Sequence, residues 1–331
     1  MGRTSNVISN IIPNVGALAV EDVIPPPGVG WLVTDFSNDH PFIGTILCPD
    51  LEVSLTDGLG TAGIVLLDPA LDLTGRRTRQ LKLYVTNALY FTITNTSAIG
   101  ANLGYFGERV PAGNIRSGHF TVGVGAQVAF GAPPNETWCI TEYGASAWTV
   151  LPALDINPNC DLGLTTAAGG LVDNRITQSL QARAQDKQPN IIIDELLLLT
   201  VFSTPGIEFY FSAIRIPEGS IGSIADVDGT GGVNFVDIRP PDGEEWVITE
   251  IGAELWAGAG SPADLPDVIV ALRTDAGPDE STIMEDGALL SARWNTDAIL
   301  KINHNIYLRI TDNSGAFNEV CVSGYLQRVY L

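Results

Sequence analysis

The stretch best equipped for chemistry runs Asp226-Val227-Asp228-Gly229-Thr230-Gly231-Gly232-Val233-Asn234-Phe235-Val236-Asp237. Hard oxygens on spaced positions, with glycine at a sharp turn, are what a calcium ion requires. Asp226, Asp228, Thr230, Asn234 and Asp237 are the side chains that would wrap such an ion. Two features weigh against it. The last position is Asp where a calcium loop uses a bidentate Glu, and no helical pattern follows. The competing reading, which is preferred, is a Gly/Asp-rich linker between domains, with residues 233–238 as the first strand of the next one. No metal and no other cofactor is expected.

Other reactive side chains are sparse. His40, His119 and His304 sit in unrelated contexts and read as turn or surface residues, not as general bases. There is no G-x-S-x-G elbow, HExxH, P-loop or dinucleotide fingerprint. Adjacent acids such as Glu244-Glu245 point to opposite faces of a strand, so they do not form an opposed pair. No catalytic residue is assigned, and the chain is expected not to be an enzyme. Cys48, Cys139, Cys160 and Cys321 contain no CxxC pair, which disfavours structural zinc. A net charge of −21 opposes contact with a phosphate backbone, which needs Lys and Arg clusters. The one basic run, Arg76-Arg77-Thr78-Arg79, reads as charge guarding a sheet edge. No secretory signal or membrane-spanning run is read from the sequence.

The elements that hold these residues are written in a repeat. Trp31-Leu32-Val33-Thr34-Asp35, Trp138-Cys139-Ile140-Thr141-Glu142 and Trp246-Val247-Ile248-Thr249-Glu250 follow one pattern, with periods of 107 and 108 residues. Prolines precede each: Pro25-Pro26-Pro27, Pro133-Pro134 and Pro240-Pro241. Apolar strands recur downstream at Leu89 to Thr94, Leu197 to Val201 and Ile306 to Thr311. Arg109-Val110, Arg215-Ile216 and Arg328-Val329 then mark a closing strand. A period of that length is a whole domain rather than a solenoid turn. Trp31, Trp138 and Trp246 are read as core residues of the repeat, since a ring at one fixed strand position in every copy packs inward more often than it grips a ligand. Asp35, Glu142 and Glu250 are read as marking a strand end, with a bond to a backbone amide.

With 45% apolar residues, 35 Gly and 20 Pro, the chain has the short broken apolar runs of an all-β protein. The expectation is three tandem β-sandwich domains of about 105 residues, jelly-roll-like in preference to immunoglobulin-like. Their bounds are 1–112, with a short N-terminal arm, 113–219 and 220–331. Residues 174–188 read either as a short helix or as an irregular strand and loop.

The third unit carries Pro241-Asp242-Gly243-Glu244-Glu245-Trp246-Val247-Ile248, Tyr307-Leu308-Arg309-Ile310-Thr311-Asp312 and Ser323-Gly324-Tyr325-Leu326. These motifs resemble the sandwich domains of tailed-bacteriophage virion structural proteins. The second unit departs further, with Asn135-Glu136-Thr137-Trp138. The resemblance implies a setting, the phage particle, and not a particular role; the leading expectation within it is a structural protein on the particle surface, a capsid-associated decoration or minor capsid component acting through subunit contacts. That expectation brings self-association and contact with other virion proteins, while the acidic charge and the lack of a long apolar run argue against a nucleic-acid or membrane partner. The resemblance carries over no catalytic residue. The alternative is a carbohydrate- or receptor-binding adhesin or fibre.

Overall fold

The computed structural model describes residues 7–15, 19–39, 51–57, 64–67, 78–95, 100–147, 160–167, 174–177, 190–203, 206–221, 223–228, 235–255, 268–275, 281–286, 291–294, 300–312 and 317–327. The first eight strands are β1 (Val7–Val15), β2 (Val20–Val23), β3 (Val29–Asp39), β4 (Leu51–Thr56), β5 (Ile64–Leu67), β6 (Thr78–Val85), β7 (Tyr90–Asn95) and β8 (Ala101–Pro111). They form two four-stranded sheets, β1-β8-β3-β6 and β2-β7-β4-β5, and every pairing is antiparallel. Successive strands thus go to opposite sheets, save β4 and β5, which pair as a hairpin in one sheet, and this is the jelly-roll order.

The order repeats twice. Strands β9 (Gly118–Val122), β10 (Ala126–Phe130), β11 (Thr137–Ala147), β12 (Cys160–Thr166), β13 (Asn174–Thr177), β14 (Ile191–Ile193), β15 (Leu197–Ser203) and β16 (Ile207–Ile216) give sheets β9-β16-β11-β14 and β10-β15-β12-β13. The third set is β17 (Ser223–Asp228), β18 (Phe235–Ile238), β19 (Glu245–Leu255), β20 (Val268–Thr274), β21 (Ser281–Asp286), β22 (Ser291–Trp294), β23 (Leu300–Asn303), β24 (Ile306–Asp312) and β25 (Phe317–Gln327). Here β17-β25-β19 is edged by β22 and β23, which pair with successive parts of β19. The facing sheet is β18-β24-β20-β21. One bridge, Asn303↔Ile306, joins the two sheets. The chain is therefore all-β, three jelly-roll sandwiches in tandem.

Local chemistry explains the repeat's prolines. The amide of Val29 donates to Pro26 O (3.0 Å), that of Glu136 to Pro133 O (3.0 Å) and that of Glu244 to Pro241 O (3.1 Å). The third residue of each turn has positive φ: Gly28 (78°), Asn135 (64°) and Gly243 (85°). This is the type II signature, which needs Gly or Asn at that place. Each turn launches the tryptophan strand.

Two sequence expectations change. Residues Val7–Val15 form β1, in register with β8 through Val7↔Glu108 to Ile12↔Leu103, so they are a sheet strand and not part of an arm. The rest of the expected arm, residues 1–6, lies outside the described residues. The supposed linker at Asp226 and Asp228 is likewise a strand, β17, paired with β25 through Asp226↔Glu319 and Asp228↔Phe317. In both cases the opening strand lacks clean alternation and waits for a partner about a hundred residues on. For the segment 174–188, Asn174–Thr177 is strand and the rest lies outside the described residues.

Each sandwich has its own core. Val33, Phe36, Phe91 and Ile93 centre the first, Ile140, Tyr143, Leu199 and Phe209 the second, and Ile248, Ile251, Leu308 and Ile310 the third. Tyr210 belongs to the second sandwich by sequence but is buried among the first one's core residues. That exchange locates the contacts between sandwiches.

Candidate functional site

The threonine of the repeated motif is where each tryptophan strand bulges. Register shifts between Val33 and Asp35, between Ile140 and Glu142, and between Ile248 and Glu250. The extra residue is Thr34, Thr141 or Thr249. Its hydroxyl lies 3.3, 3.2 and 3.1 Å from the carbonyl oxygens of Phe106, Ser212 and Ser323, the residues across the bulge. A bulge inserts one residue, twists the strand and re-aims the side chains beside it. Asp35 and Glu142 therefore sit mid-strand beside a bulge, not at a strand end, because β3 and β11 continue to Asp39 and Ala147. The side chain of Glu250 lies outside the described residues.

The re-aimed groups cap a neighbour's sheet edge. β6 is the edge of the first sandwich, and its outward amides and carbonyls have no strand partner among the described residues. Glu142 Oε2 accepts the Lys82 amide at 2.9 Å, and Ser212 Oγ accepts the Tyr84 amide at 2.6 Å. Thr141 Oγ1 and Ser212 Oγ lie 2.8 and 3.0 Å from the Lys82 carbonyl oxygen. The acid does bond a backbone amide, but one belonging to the preceding sandwich. The next seam reproduces the scheme. Ser323 Oγ accepts the Ile192 amide of edge strand β14 at 2.8 Å and donates to the Ile192 carbonyl at 3.1 Å. Ser212 and Ser323 hold the same register position, opposite Glu142 and Glu250. Both serines are fully buried. An edge presenting bare backbone groups is thereby satisfied without adding a strand.

Burial follows from the seams. Along β7 it alternates, as expected of a strand with one face in the core. Along β16 every residue from Ile207 to Ala213 is buried, because the first sandwich covers the outer face. Beside that seam, His119 on β9 places Nε2 3.0 Å from Asp57 Oδ2 of the first sandwich and Nδ1 3.8 Å from Glu208 Oε2. Thr121 donates to the other Glu208 oxygen at 2.7 Å. His119 is thus a strand residue tying two sandwiches, not a free turn residue. Its partners are too distant in sequence to be read from spacing. His304 lies in the β23–β24 turn, with Nδ1 3.2 Å from Pro240 O, and His40 lies outside the described residues.

The repeat tryptophans have a polar handle. Trp31, Trp138 and Trp246 are each half-buried against their own sandwich core. Trp31 stacks on Tyr105 and Trp138 on Phe211, at 5.7 and 6.3 Å between centroids. The indole N–H of Trp138 donates to Glu136, and that of Trp246 to Glu244, both at 2.8 Å. Arg116 also clasps Glu136 through two N–H bonds of 2.7 and 2.8 Å. That guanidinium, then the indole donor, holds the Glu136 carboxyl down at about 2. Burial pushes the free Cys139 thiol up to about 12, which leaves it inert.

The calcium candidates are not brought together by any described contact. Asp226 and Asp228 are in β17, while Thr230 and Asn234 lie outside the described residues. Asp237, on β18, gives both oxygens to Arg309 of β24, at 2.6 and 2.7 Å. The same guanidinium lies over the Phe235 ring at 3.8 Å. Among the described residues no group of three or more His, Cys, Asp or Glu could hold a metal ion. The side chains of Arg76, Arg77, Arg79, Trp148, Trp256 and Trp294 fall outside the described residues.

Solved structures give the external comparison. The chain is similar to a structure from the Sulfolobus turreted icosahedral virus. It is equally similar to one described as the triple jelly-roll fold and turret assembly of an archaeal virus. Each shows 10% identity, covers 98% of this chain and 89% of the other, and has a TM-score of 0.23. A structure of the lipid-containing bacteriophage PM2 matches at 10% identity over 98% of this chain and 88% of the other, with a TM-score of 0.14. No protein-family model and no curated protein sequence matches. The strand order, rather than these likenesses, establishes the jelly-roll fold.

Proposed function

We propose that this chain is a non-enzymatic structural protein of a virus particle, acting through subunit contacts on the particle surface. The observation that carries it is the pair of seams: three jelly rolls are joined by the same edge-on-face contact, sealed by buried Ser212 and Ser323. Such a chain is a stiff block of fixed geometry, which is what a regular shell needs from its parts. The acidic surface, with 38 Asp and Glu against 17 Lys and Arg, suits an outer position away from packaged nucleic acid. Within that role we assign it to the decoration or minor capsid class, with Trp31, Trp138 and Trp246 as repeat core residues and the three sandwiches bounded at 1–112, 113–219 and 220–331. The motifs shared with tailed-bacteriophage virion proteins are consistent with this.

Copy number in purified particles tests the reading. Quantitative mass spectrometry against the major shell protein is expected to give tens to hundreds of copies. A handful of copies, together with binding to a glycan array, would instead mean a receptor-binding fibre. Absence from purified particles would overturn the proposal.

A further inference from the structure

Each seam sets an edge strand of one sandwich on a face of the next. The outer face of the second sandwich is covered by β6, and that of the third by β14. Among the described residues, no other sandwich covers the equivalent face of the first, on β3 and β8. Its position matching Ser212 and Ser323 is Phe106, which stands opposite Asp35 across the Thr34 bulge and is 43% exposed. Glu108, two residues along on the same face, is also exposed. On β16 the corresponding residues, Ser212 and Ile214, lie under or beside the seam. In the third sandwich, β23 is an edge strand among the described residues, equivalent to β6 and β14 by the pairs Trp31↔Val85, Trp138↔Ile193 and Trp246↔Ile302. Its outward residue matching Tyr84 and Ile192 is Lys301, with a side chain 50% exposed and 3.6 Å from Glu245. Among the described elements, no strand of the third sandwich packs extensively on β3 or β8.

We infer that the β23 edge of one molecule docks on the Phe106 face of a second copy, setting edge on face as the internal seams do but through different side chains. The two internal junctions show what this face receives, namely a jelly-roll edge of this kind. Both open ends depart from the internal pattern, and the departures match each other. Where the internal edges carry Tyr84 and Ile192, the open edge carries a lysine. Where the internal faces carry serine, the open face carries a ring, flanked by the carboxylates of Asp35 and Glu108. The aliphatic stem of Lys301 can lie on the Phe106 ring while its ammonium reaches those acids. Thr34 and Asp35 match Thr141 and Glu142, the donor and acceptor that serve the Lys82 backbone in the first seam. An edge lysine also discourages indiscriminate strand pairing, so the contact is restricted to an acidic face. The interface is heterologous and propagates head to tail, closing into a ring or growing as a filament.

This inference rests on the structural role proposed above, and a charge-swap experiment on the full chain separates the two. In sedimentation velocity at low salt, the unmodified chain is expected to gain mass with concentration, and 0.5 M salt to weaken that association. Lys301→Glu alone and Glu108→Lys alone should each associate about tenfold more weakly. Mixing the two variants should restore association, because each edge then meets an opposite charge. That rescue is specific to a head-to-tail contact and cannot come from misfolding. A chain that stays monomeric at every concentration overturns the inference, as does a mixture that fails to recover. Binding only to a different shell protein also overturns it, while the role set by copy number would stand.

Discussion

The buried serines are the residues on which the seams turn. Ser323 Oγ is both acceptor for the Ile192 amide and donor to the Ile192 carbonyl. Ser323→Ala would leave both backbone groups without that partner in a space too tight for easy hydration. The expected cost is about 1–3 kcal/mol, the usual penalty for stranding buried polar groups, measured as a shift in the urea midpoint. Ser323→Thr would keep the hydroxyl but add a methyl in the seam, so the alanine variant is the cleaner probe. Glu136 gives a second prediction, with a definite sign. Its folded value of about 2 lies below the ordinary 4.5, so the Arg116 pair stabilises the fold fully above pH 4.5. That contribution fades as pH falls from about 4.5 towards 2, where the folded carboxyl takes up its proton. Glu136 is near the surface, so screening reduces the effect to about 1–2 kcal/mol. Stability curves between pH 5 and pH 2 should therefore fall more steeply for the unmodified chain than for Glu136→Gln. Parallel curves would show that the pair contributes nothing.

At the scale of the strand, the bulge dictates what can face it. A Cβ on Gly107 would run into the Leu32 carbonyl, and one on Gly324 into the Val247 carbonyl. Both glycines stand where the bulged strand swings its backbone towards its neighbour. The second sandwich carries Ala213 at this place, so one methyl is accommodated there. Gly324→Val goes beyond that limit. Its expected cost is about 2–3 kcal/mol, from overpacking against backbone that cannot yield, read by thermal or urea unfolding. This is also where sequence reading succeeds and stops. The motif and its period expose the three units, because a strand and its turn are local: Pro26-Pro27-Gly28 and Trp31 specify a bend and the strand after it. The all-β class and the jelly-roll preference follow from the same short apolar runs. The opening strands β1 and β17 escape notice because their alternation is poor and their partners, β8 and β25, come at the far end of each unit. The roles of Thr141, Glu142 and His119 escape for a related reason. Each is completed by a residue of another sandwich, at Lys82 or Asp57, and nothing local announces that pairing. A repeated Thr-acid pair does carry one signal in hindsight. Polar residues kept mid-strand in three copies require a partner, and the core supplies none.

For the whole molecule, the seams decide whether three sandwiches melt as one. In a tandem array, stability is the sum of unit terms and nearest-neighbour interfaces, so cooperation survives only while the interfaces are strong. The first seam combines four side chain–backbone bonds at Lys82 and Tyr84 with Tyr210 buried among the first sandwich's core residues. Breaking it should uncouple the first sandwich without unfolding the second, whose own core centres on Ile140, Leu199 and Phe209. Ser212→Asp is the suitable change. It puts a carboxylate against Glu142 and the Lys82 carbonyl, in a space closed to water. An unpaired buried charge costs about 3–5 kcal/mol. Scanning calorimetry of the unmodified chain should then show one dominant transition. The Ser212→Asp chain should show two, with the earlier one carrying about a third of the heat, as expected when enthalpy scales with residues unfolded. Limited proteolysis between the transitions should cut the first sandwich and spare residues beyond it. A single transition moved to lower temperature would mean that the sandwiches stay coupled through contacts other than this seam.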